Sequence, residues 1–404
     1  MLTSSLSSHA AEQVISVLNL VLQDGKPLDR AYSLTFSGQR LLPAEQARIT
    51  QVGGDIMRKL NLYCFLAGIT PQEMTYKGAY LLSVWHKFHE LELPKFSYCQ
   101  PIDEADYQAR LEKAKLDLVL WDGCPEWLNN LGMEQLGDDW LQERAALATA
   151  PKRYLRCNTL KCSLSELKEA LAEEDVETNI VDGVDSALEV TSDSALFRTE
   201  CFKKGWFEQQ DAGSQLIADA LDAKSGMRVI DACAGAGGKT LHIAAKMQGK
   251  GRLLAMDIEP WKLDNLKERA KRAAAFNVET RLITSSKTIK RLKLSADRLL
   301  LDVPCSGLGV LKRNPDTKWR DTEERLPVLV ALQADILTRY SKMLKVDGVM
   351  IYATCSIMPQ ENRQQIDAFL ANNDNFKLME DHTIKPSESG FDGFYMAKLT
   401  RIAE

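Results

Sequence analysis

The chain has 404 residues, is 45% hydrophobic and 26% charged, and carries a net charge of -5. That balance excludes a disordered chain and a polycation, so any hold on nucleic acid needs a local basic patch rather than the overall field. No apolar run approaches the roughly 18 residues of a membrane span, and the N-terminal MLTSSLSSHAAEQ lacks an apolar segment, so a cytoplasmic protein with reduced thiols is expected.

The length allows two or three domains. Nine cysteines are scattered along it: Cys64, Cys99, Cys124, Cys157, Cys162, Cys201, Cys233, Cys305 and Cys355. None forms a C-x-x-C pair, so no metal site is expected, and most read as small buried apolar residues.

Residues 1–147 read as helical. AAEQVISVLNLVL has a broad apolar face, and PAEQARITQVGGDIMRKLNLYCFLAG starts with Pro43 in a first-turn position. AYLLSVWHKFHEL carries His86 and His89 three apart. No third ligand accompanies them, so they read as ordinary helix histidines. PEWLNNLGMEQLGDDWLQERAAL continues the pattern, with Trp127 and Trp140 as core.

Composition changes at ATAPKRYLRCNTLK, and residues 148–210 alternate strand and helix as a small α+β unit. A strand is predicted over 154–158. The helix SLSELKEALAEEDV follows, with Ser163 and Glu166 spaced as a capping box. Short strands then fall in ETNIV, SALEVTS and KGWFEQQD. Lys152, Arg153, Arg156, Lys203 and Lys204 lie here beside Tyr154, Trp206 and Phe207. Basic and aromatic residues mixed on a small sheet suit single-stranded RNA; a solvated sheet face explains the composition equally well.

Residues 211–404 repeat strand and helix. GSQLIADAL is a helix, RVIDAC a strand, AGAGG a turn and TLHIAAKM a helix. RLLAMDI, RLIT, RLLLDVP and VMIYATC are further strands, separated by the helices LDNLKERAKRAAAFN and RLPVLVALQADILTRYSKML. The pattern is that of an α/β, doubly wound parallel sheet.

Chemistry concentrates at the strand ends. Leu299 to Leu301 run into Asp302, Pro304 and Cys305, then a glycine turn and the basic loop Lys312-Arg313-Asn314-Pro315. About fifty residues on, VMIYATCS ends in Cys355, so two strands of one sheet can deliver two sulfurs to one pocket. The turn Gly235-Ala236-Gly237-Gly238 lets backbone approach a ligand at a helix N-terminus. Asp257, near the end of the next strand, can accept from both ribose hydroxyls of a nucleoside. The turn is not a P-loop, because Cys233 stands where that motif needs glycine. A nucleoside cofactor without a triphosphate fits, such as S-adenosylmethionine.

DACAGAGGKT, DVPCSGLG with KRNPD, YATCS-x-x-x-x-EN and GFDGFYMAKL resemble the signature segments of the RNA cytosine-C5 methyltransferases, of the Fmu/RsmB type of bacterial rRNA enzymes and their eukaryotic relatives. RYLRCNTLK and GWFEQQDAGSQLIADAL resemble that family's small RNA-binding domain and the lead-in to its catalytic domain. The N-terminal helices resemble its NusB-like domain. The resemblance implies a Rossmann-like methyltransferase domain at 211–404, a small α+β RNA-binding domain at 148–210 and an all-α NusB-like domain at 1–147.

It further implies a monomeric enzyme that moves a methyl group from S-adenosylmethionine to C5 of a cytosine in RNA, through a covalent cysteine–C6 adduct. Small-subunit rRNA is the first choice of substrate; tRNA, or a non-catalytic assembly factor, are the alternatives. Neither metal nor membrane is involved. Cys355 is implied as nucleophile and Cys305 as the thiol that helps expel product. Asp302 faces N3 and the exocyclic amine of the base, and Lys239 reaches it too. Cys233, Ala234, Gly235, Ala236, Gly237, Gly238, Lys239, Asp257, Ser285 and Asp302 are implied to bind cofactor. Two positions depart from the family pattern: Ala236 replaces a proline, loosening the turn, and Ser285, or Ser286, stands where relatives often place an aspartate at the adenine. Both thiols argue against an idle binder, and Cys355 with the NusB-like region argues against a DNA enzyme.

Overall fold

The computed structural model describes residues 6–70, 78–94, 102–320 and 322–404; Cys99 lies outside them. The chain divides into two compact units, one of residues 1–150 with 310–324, the other of 151–309 with 325–404.

The first unit is helical. Helices Ser8–Leu22, Pro43–Arg58, Leu60–Ala67 and Gly78–Phe88 bury Val14, Leu18, Ile49, Val52, Ile56, Leu81 and Trp85 in one core. Pro43 opens its helix as its missing N–H predicts. Inside, Asp55 Oδ2 accepts from Trp85 Nε1 at 2.8 Å and Tyr63 Oη at 3.0 Å, and lies 3.2 Å from His89 Nε2. His86 instead turns Nδ1 to the Leu82 carbonyl at 2.9 Å. The two histidines therefore have separate partners. Trp140 is fully buried, while Trp127 is half-buried and donates to the Lys318 carbonyl.

The segment 310–324 carries the KRNPDTKW loop, and it is part of this helical core. Lys318 Nζ donates to the Arg58 carbonyl at 2.7 Å, and Arg58 Nη1 returns a bond to the Lys312 carbonyl at 3.0 Å. Trp319 Nε1 donates to the Met57 carbonyl, and the Leu28 N–H donates to Asp316. Burial brings the Lys318 ammonium down to about 8.

The second unit opens with a four-stranded antiparallel sheet: β1 (Arg153–Cys157), β2 (Thr178–Ile180), β3 (Ala187–Val190) and β4 (Phe207–Gln209), in the order β2-β3-β1-β4. Helix Leu164–Glu173 covers it, started by the predicted capping box of Ser163 and Glu166. Leu155, Leu167, Leu171, Leu188 and Phe207 form the core between them.

The larger sheet holds β5 (Arg228–Asp231), β6 (Arg252–Asp257), β7 (Val278–Leu282), β8 (Ala296–Asp302), β9 (Leu344–Thr354), β10 (Phe376–Ile384) and β11 (Phe394–Arg401). Its order is β10-β11-β9-β8-β5-β6-β7. Strands β5 to β9 are parallel, as their apolar runs predict; β11 and β10 add an antiparallel edge. The chain leaves β5 for β6 and β7 on one side and later crosses back to β8 and β9 on the other. The strand order reverses between β5 and β8, and such a switch point opens a crevice at the carboxyl ends of the strands. Asp231, Asp257 and Asp302 end β5, β6 and β8 at that edge.

Candidate active site

The turn after β5 is built for close approach. Gly235 and Gly237 have φ of +54° and +91°, a left-handed backbone that glycine alone adopts at no steric cost. A methyl group on Gly237 would strike Leu266 at 2.6 Å, whereas one on Gly235 would meet nothing within 4 Å. Gly237 therefore packs against the protein, and Gly235 leaves an open ledge.

Asp257 faces this turn. Its Oδ2 accepts from the Gly235 N–H and its Oδ1 from the Glu259 N–H, both at 2.9 Å. Each oxygen keeps a second lone pair, so the carboxylate is oriented without being used up. Asp231 lies deeper. Its Oδ2 accepts from Thr240 Oγ1 at 2.6 Å, while its Oδ1 is buried with no hydrogen-bond partner. Burial, opposed by the Thr240 bond and reinforced by the charge of Asp302, lifts the Asp231 carboxyl to about 7. An unpartnered buried acceptor, an open glycine ledge and an oriented carboxylate together fit a nucleoside that also carries a cationic amine.

The turn lacks the stiffening of a proline at Ala236, but its carbonyls are held from outside. Arg269 Nη1 donates to Ala236 O at 2.6 Å, and Arg156 Nη1 to Gly238 O at 2.5 Å and also to Gln210. Arg269 and Arg272 both pair with the buried Glu208 of β4. This corrects one expectation: neither Tyr154 and Phe207, both buried in the core, nor Arg156 is part of an RNA-facing surface. Arg156 is 2% exposed, its guanidinium is brought down to about 10 by burial, and it reaches from β1 to the glycine turn. Cys233 is half-buried, and burial followed by the surrounding carboxylates raises its thiol well above the usual range. Ser285 stays exposed at the start of the short helix after β7, and its side chain makes no capping bond. Among the described residues no bond joins it to the turn or to Asp257.

The two thiols meet. Cys305 Sγ lies 3.0 Å from Cys355 Sγ and accepts from the Cys355 N–H at 3.2 Å. The adjacent parallel strands β8 and β9 set this, with Asp302 level with Ala353. The hydrogen bond to Cys355, with burial next, pushes the Cys305 thiol well above its usual range. Either sulfur can donate in this contact. Lys239 Nζ donates to Asp302 Oδ2 at 2.7 Å and sits over the Phe394 ring, 5.6 Å from its centroid. Burial works to lower its ammonium, but the charge and hydrogen bond of Asp302 outweigh it and the net shift is upward.

Glu361 holds the two loops together. It is fully buried; Oε1 accepts from the Ser306 N–H at 2.8 Å and from Gln333 Nε2 at 2.9 Å, and Oε2 from Ser306 Oγ at 2.5 Å. Its own carbonyl accepts from Tyr352 Oη. Next to it, Asn362 bonds Thr354 and the Ser356 carbonyl. A third strap comes from GFDGFY: Gly309 donates to Cys355 O at 2.9 Å and Gly393 to Gly309 O at 2.7 Å. A methyl group on Gly309 would sit 2.1 Å from the Gly393 carbonyl oxygen. Asp231 and Glu361 carry structural weight that residue-by-residue reading misses. The signal for Asp231 was available, since an acid ends three of the parallel strands.

A doubly wound sheet with a glycine turn at its switch point and paired strand-end thiols places the second unit among the Rossmann-like methyltransferase folds. Residues 218–400 match the family described as 16S rRNA methyltransferase RsmB/F, and 124–196 match the ferredoxin-like domain of RsmF/B-like methyltransferases. The chain belongs to the RsmB/F family.

It is 34% identical over 296 residues to ribosomal RNA small subunit methyltransferase B of Pasteurella multocida, covering 69% of this chain and 65% of that protein. It is 31% identical over 310 residues to the probable ribosomal RNA small subunit methyltransferase B of Synechocystis, covering 72% and 70%. The chain thus spans just under two thirds of the length of the Pasteurella protein. Among solved structures, the fold matches that of PH0851 at a TM-score of 0.78, with 24% identity over 98% of this chain and 99% of that one. It matches NSun6 from Pyrococcus horikoshii, solved with SFG, at a TM-score of 0.64, with 20% identity over 69% and 99%. Among the described residues no helix is long and apolar enough to cross a membrane, and no group of three metal-ligating side chains occurs.

Proposed function

We propose that this chain methylates C5 of a cytosine in small-subunit ribosomal RNA, using S-adenosylmethionine and a covalent cysteine–C6 adduct. The observation that carries the reading is the 3.0 Å approach of Cys305 and Cys355 beside the Lys239–Asp302 pair. The names of the relatives and the SFG in the NSun6 structure support the substrate and the cofactor.

The glycine ledge at Gly235, the Asp257 carboxylate and the free oxygen of Asp231 would hold the cofactor. When bound, S-adenosylmethionine supplies an electrophilic sulfonium methyl. Everything else falls to the chain. Cytosine C5 is a poor nucleophile until a thiolate adds to C6 and turns C5 into an enamine-like carbon. Cys355 makes that addition as a thiolate, its proton leaving to water, in the role that the family's YATCS segment implies. The added electron pair moves toward N3, where a hydrogen-bond donor lowers its cost. Asp302 accepts from the exocyclic amine, and the Lys239 ammonium supplies protons to the same edge.

Once the Cys355 sulfur is bonded to carbon it is a thioether and no longer shares a proton with Cys305. Cys305, after giving its own proton to water, then takes the C5 proton, directly or through a second water. The C5–H pair re-forms the C5=C6 double bond and the C6–S bond breaks. The target base must leave its stack to enter the crevice.

Bisulfite mapping of rRNA and tRNA from cells with and without the gene tests the reading. A cytosine in small-subunit rRNA should lose its 5-methyl group; a loss confined to tRNA would change the substrate, and no loss in either would reject the activity.

A further inference from the structure

On the second unit, five cations surround Trp206 in an open cleft of about 670 Å³: Lys161, Lys203, Lys204, Lys271 and Arg272, with Glu268 as the one lining carboxylate. The concentration is local, because the chain as a whole has a net charge of -5. Three of the cations have partners: Lys203 pairs with Glu200 on the surface, Arg272 pairs with Glu208, and Lys161 Nζ donates to the Lys204 carbonyl at 2.6 Å. The Lys203 pair is exposed at both ends, so it is easily exchanged. Lys204 and Lys271 form no ion pair among the described residues, and both are exposed. The Lys204 ammonium lies 5.8 Å from the Trp206 ring centroid, so an aromatic face and unneutralised charge stand side by side. That is the composition of a site that tracks a phosphate backbone and stacks a base.

The cleft draws on two parts of the fold. Lys161, Lys203, Lys204 and Trp206 come from the small antiparallel sheet and its loops, whereas Lys271 and Arg272 lie in the last turn of helix Pro260–Ala273. That helix starts three residues after Asp257, at the cofactor edge of the sheet. Lys271 is eleven residues along it, so it lies about 17 Å from that edge at 1.5 Å per residue. A stacked strand with the 3.4 Å rise of a duplex strand covers such a distance in about five steps, and an extended strand in fewer.

We propose that this cleft seats RNA backbone phosphates several nucleotides away from the target cytosine, with Trp206 as the stacking surface. The inference rests on the RNA reading above and adds where, and how far from the chemistry, the substrate is held.

The test compares the wild type with a Lys204→Ala/Lys271→Ala variant, neither residue belonging to the catalytic machinery. Binding of a 16S rRNA transcript is read by anisotropy across a salt series, and binding of S-adenosylhomocysteine by calorimetry. The variant should bind the transcript severalfold more weakly, with a salt slope smaller by about 0.7 per lost single-strand phosphate contact. Its affinity for S-adenosylhomocysteine and its melting temperature should match the wild type. Once the methylated site is mapped, a transcript trimmed to about one nucleotide on each side, too short to reach the cleft at 3.4 Å per stacked step or when extended, should bind both proteins alike.

Unchanged affinity and slope on the long transcript, with a wild type that methylates it, would overturn the cleft and leave the proposed activity standing. A wild type that neither binds nor methylates RNA would overturn both.

Discussion

The Oε1 atom of Glu361 lies 2.8 Å from the backbone nitrogen of Ser306, across 55 residues of sequence. This bond ties the loop after β8 to the loop after β9 and so fixes Cys305 against Cys355. A carboxylate buried at such a junction is costly unless its hydrogen bonds are complete, and here three donors meet its side chain.

Glu361→Ala should therefore cost stability and registration together. Leaving the buried Ser306 and Gln333 donors unpaired costs roughly 1–3 kcal/mol for each donor stranded. Thermal melting should fall accordingly. Binding of S-adenosylhomocysteine at temperatures where the variant is folded should change little, while methyl transfer should drop far more. Equal losses in binding and turnover would show that Glu361 supports the whole unit rather than the thiol pair.

Arg269 should act through the glycine turn. Arg269→Ala removes the donor to Ala236 O and leaves Glu208 with one partner instead of two. Cofactor affinity should weaken about tenfold, equal to about 1.4 kcal/mol, with kcat at saturation nearly unchanged. Arg269→Lys should recover part of the affinity, since one donor can still reach the carbonyl. A fall in kcat without a change in KM for the cofactor would contradict this role.

Asp231 gives a pH dependence with a definite sign. Its carboxyl titrates near 7 in the folded chain and near 3.9 when unfolded. Between those values the folded state binds the extra proton, so this group's contribution to stability falls as pH rises through that window. Cofactor binding runs the opposite way, because a cationic amine favours the ionised carboxylate. Affinity for S-adenosylhomocysteine should rise as pH increases through about 7, with release of a proton. Calorimetry in buffers of different ionisation enthalpy measures that proton. Asp231→Asn should abolish both the pH slope and the proton release.

Much of this site is visible in the sequence because strand ends announce themselves. Short apolar runs stop at Asp257, Asp302 and Cys355, and parallel strands put all such ends on one edge. Pro43, Ser163 and Glu166 were legible for the same reason, since their effects are local. What was not legible depends on contacts distant in sequence. Arg156 reads as a surface cation beside aromatic residues, yet it turns inward because the Gly238 carbonyl and Gln210 are there to receive it. KRNPDTKW reads as a basic loop of the catalytic region, yet Lys318 and Trp319 find their acceptors on helix Pro43–Arg58. Strands β10 and β11 escaped notice because β10 is an edge strand, its one neighbour being β11, and is rich in charge, so its apolar signal is thin.

The central claim is the division of labour between the two thiols, and a denaturing gel reads it most directly. Wild type, Cys355→Ala and Cys305→Ala are incubated with a 16S rRNA transcript and S-adenosylmethionine, then denatured. Cys305→Ala should accumulate a covalent protein–RNA band, because Cys355 still adds to C6 but release is impaired. Cys355→Ala should give neither band nor methylated RNA. A trapped band from Cys355→Ala, with none from Cys305→Ala, would contradict the account and make Cys305 the nucleophile.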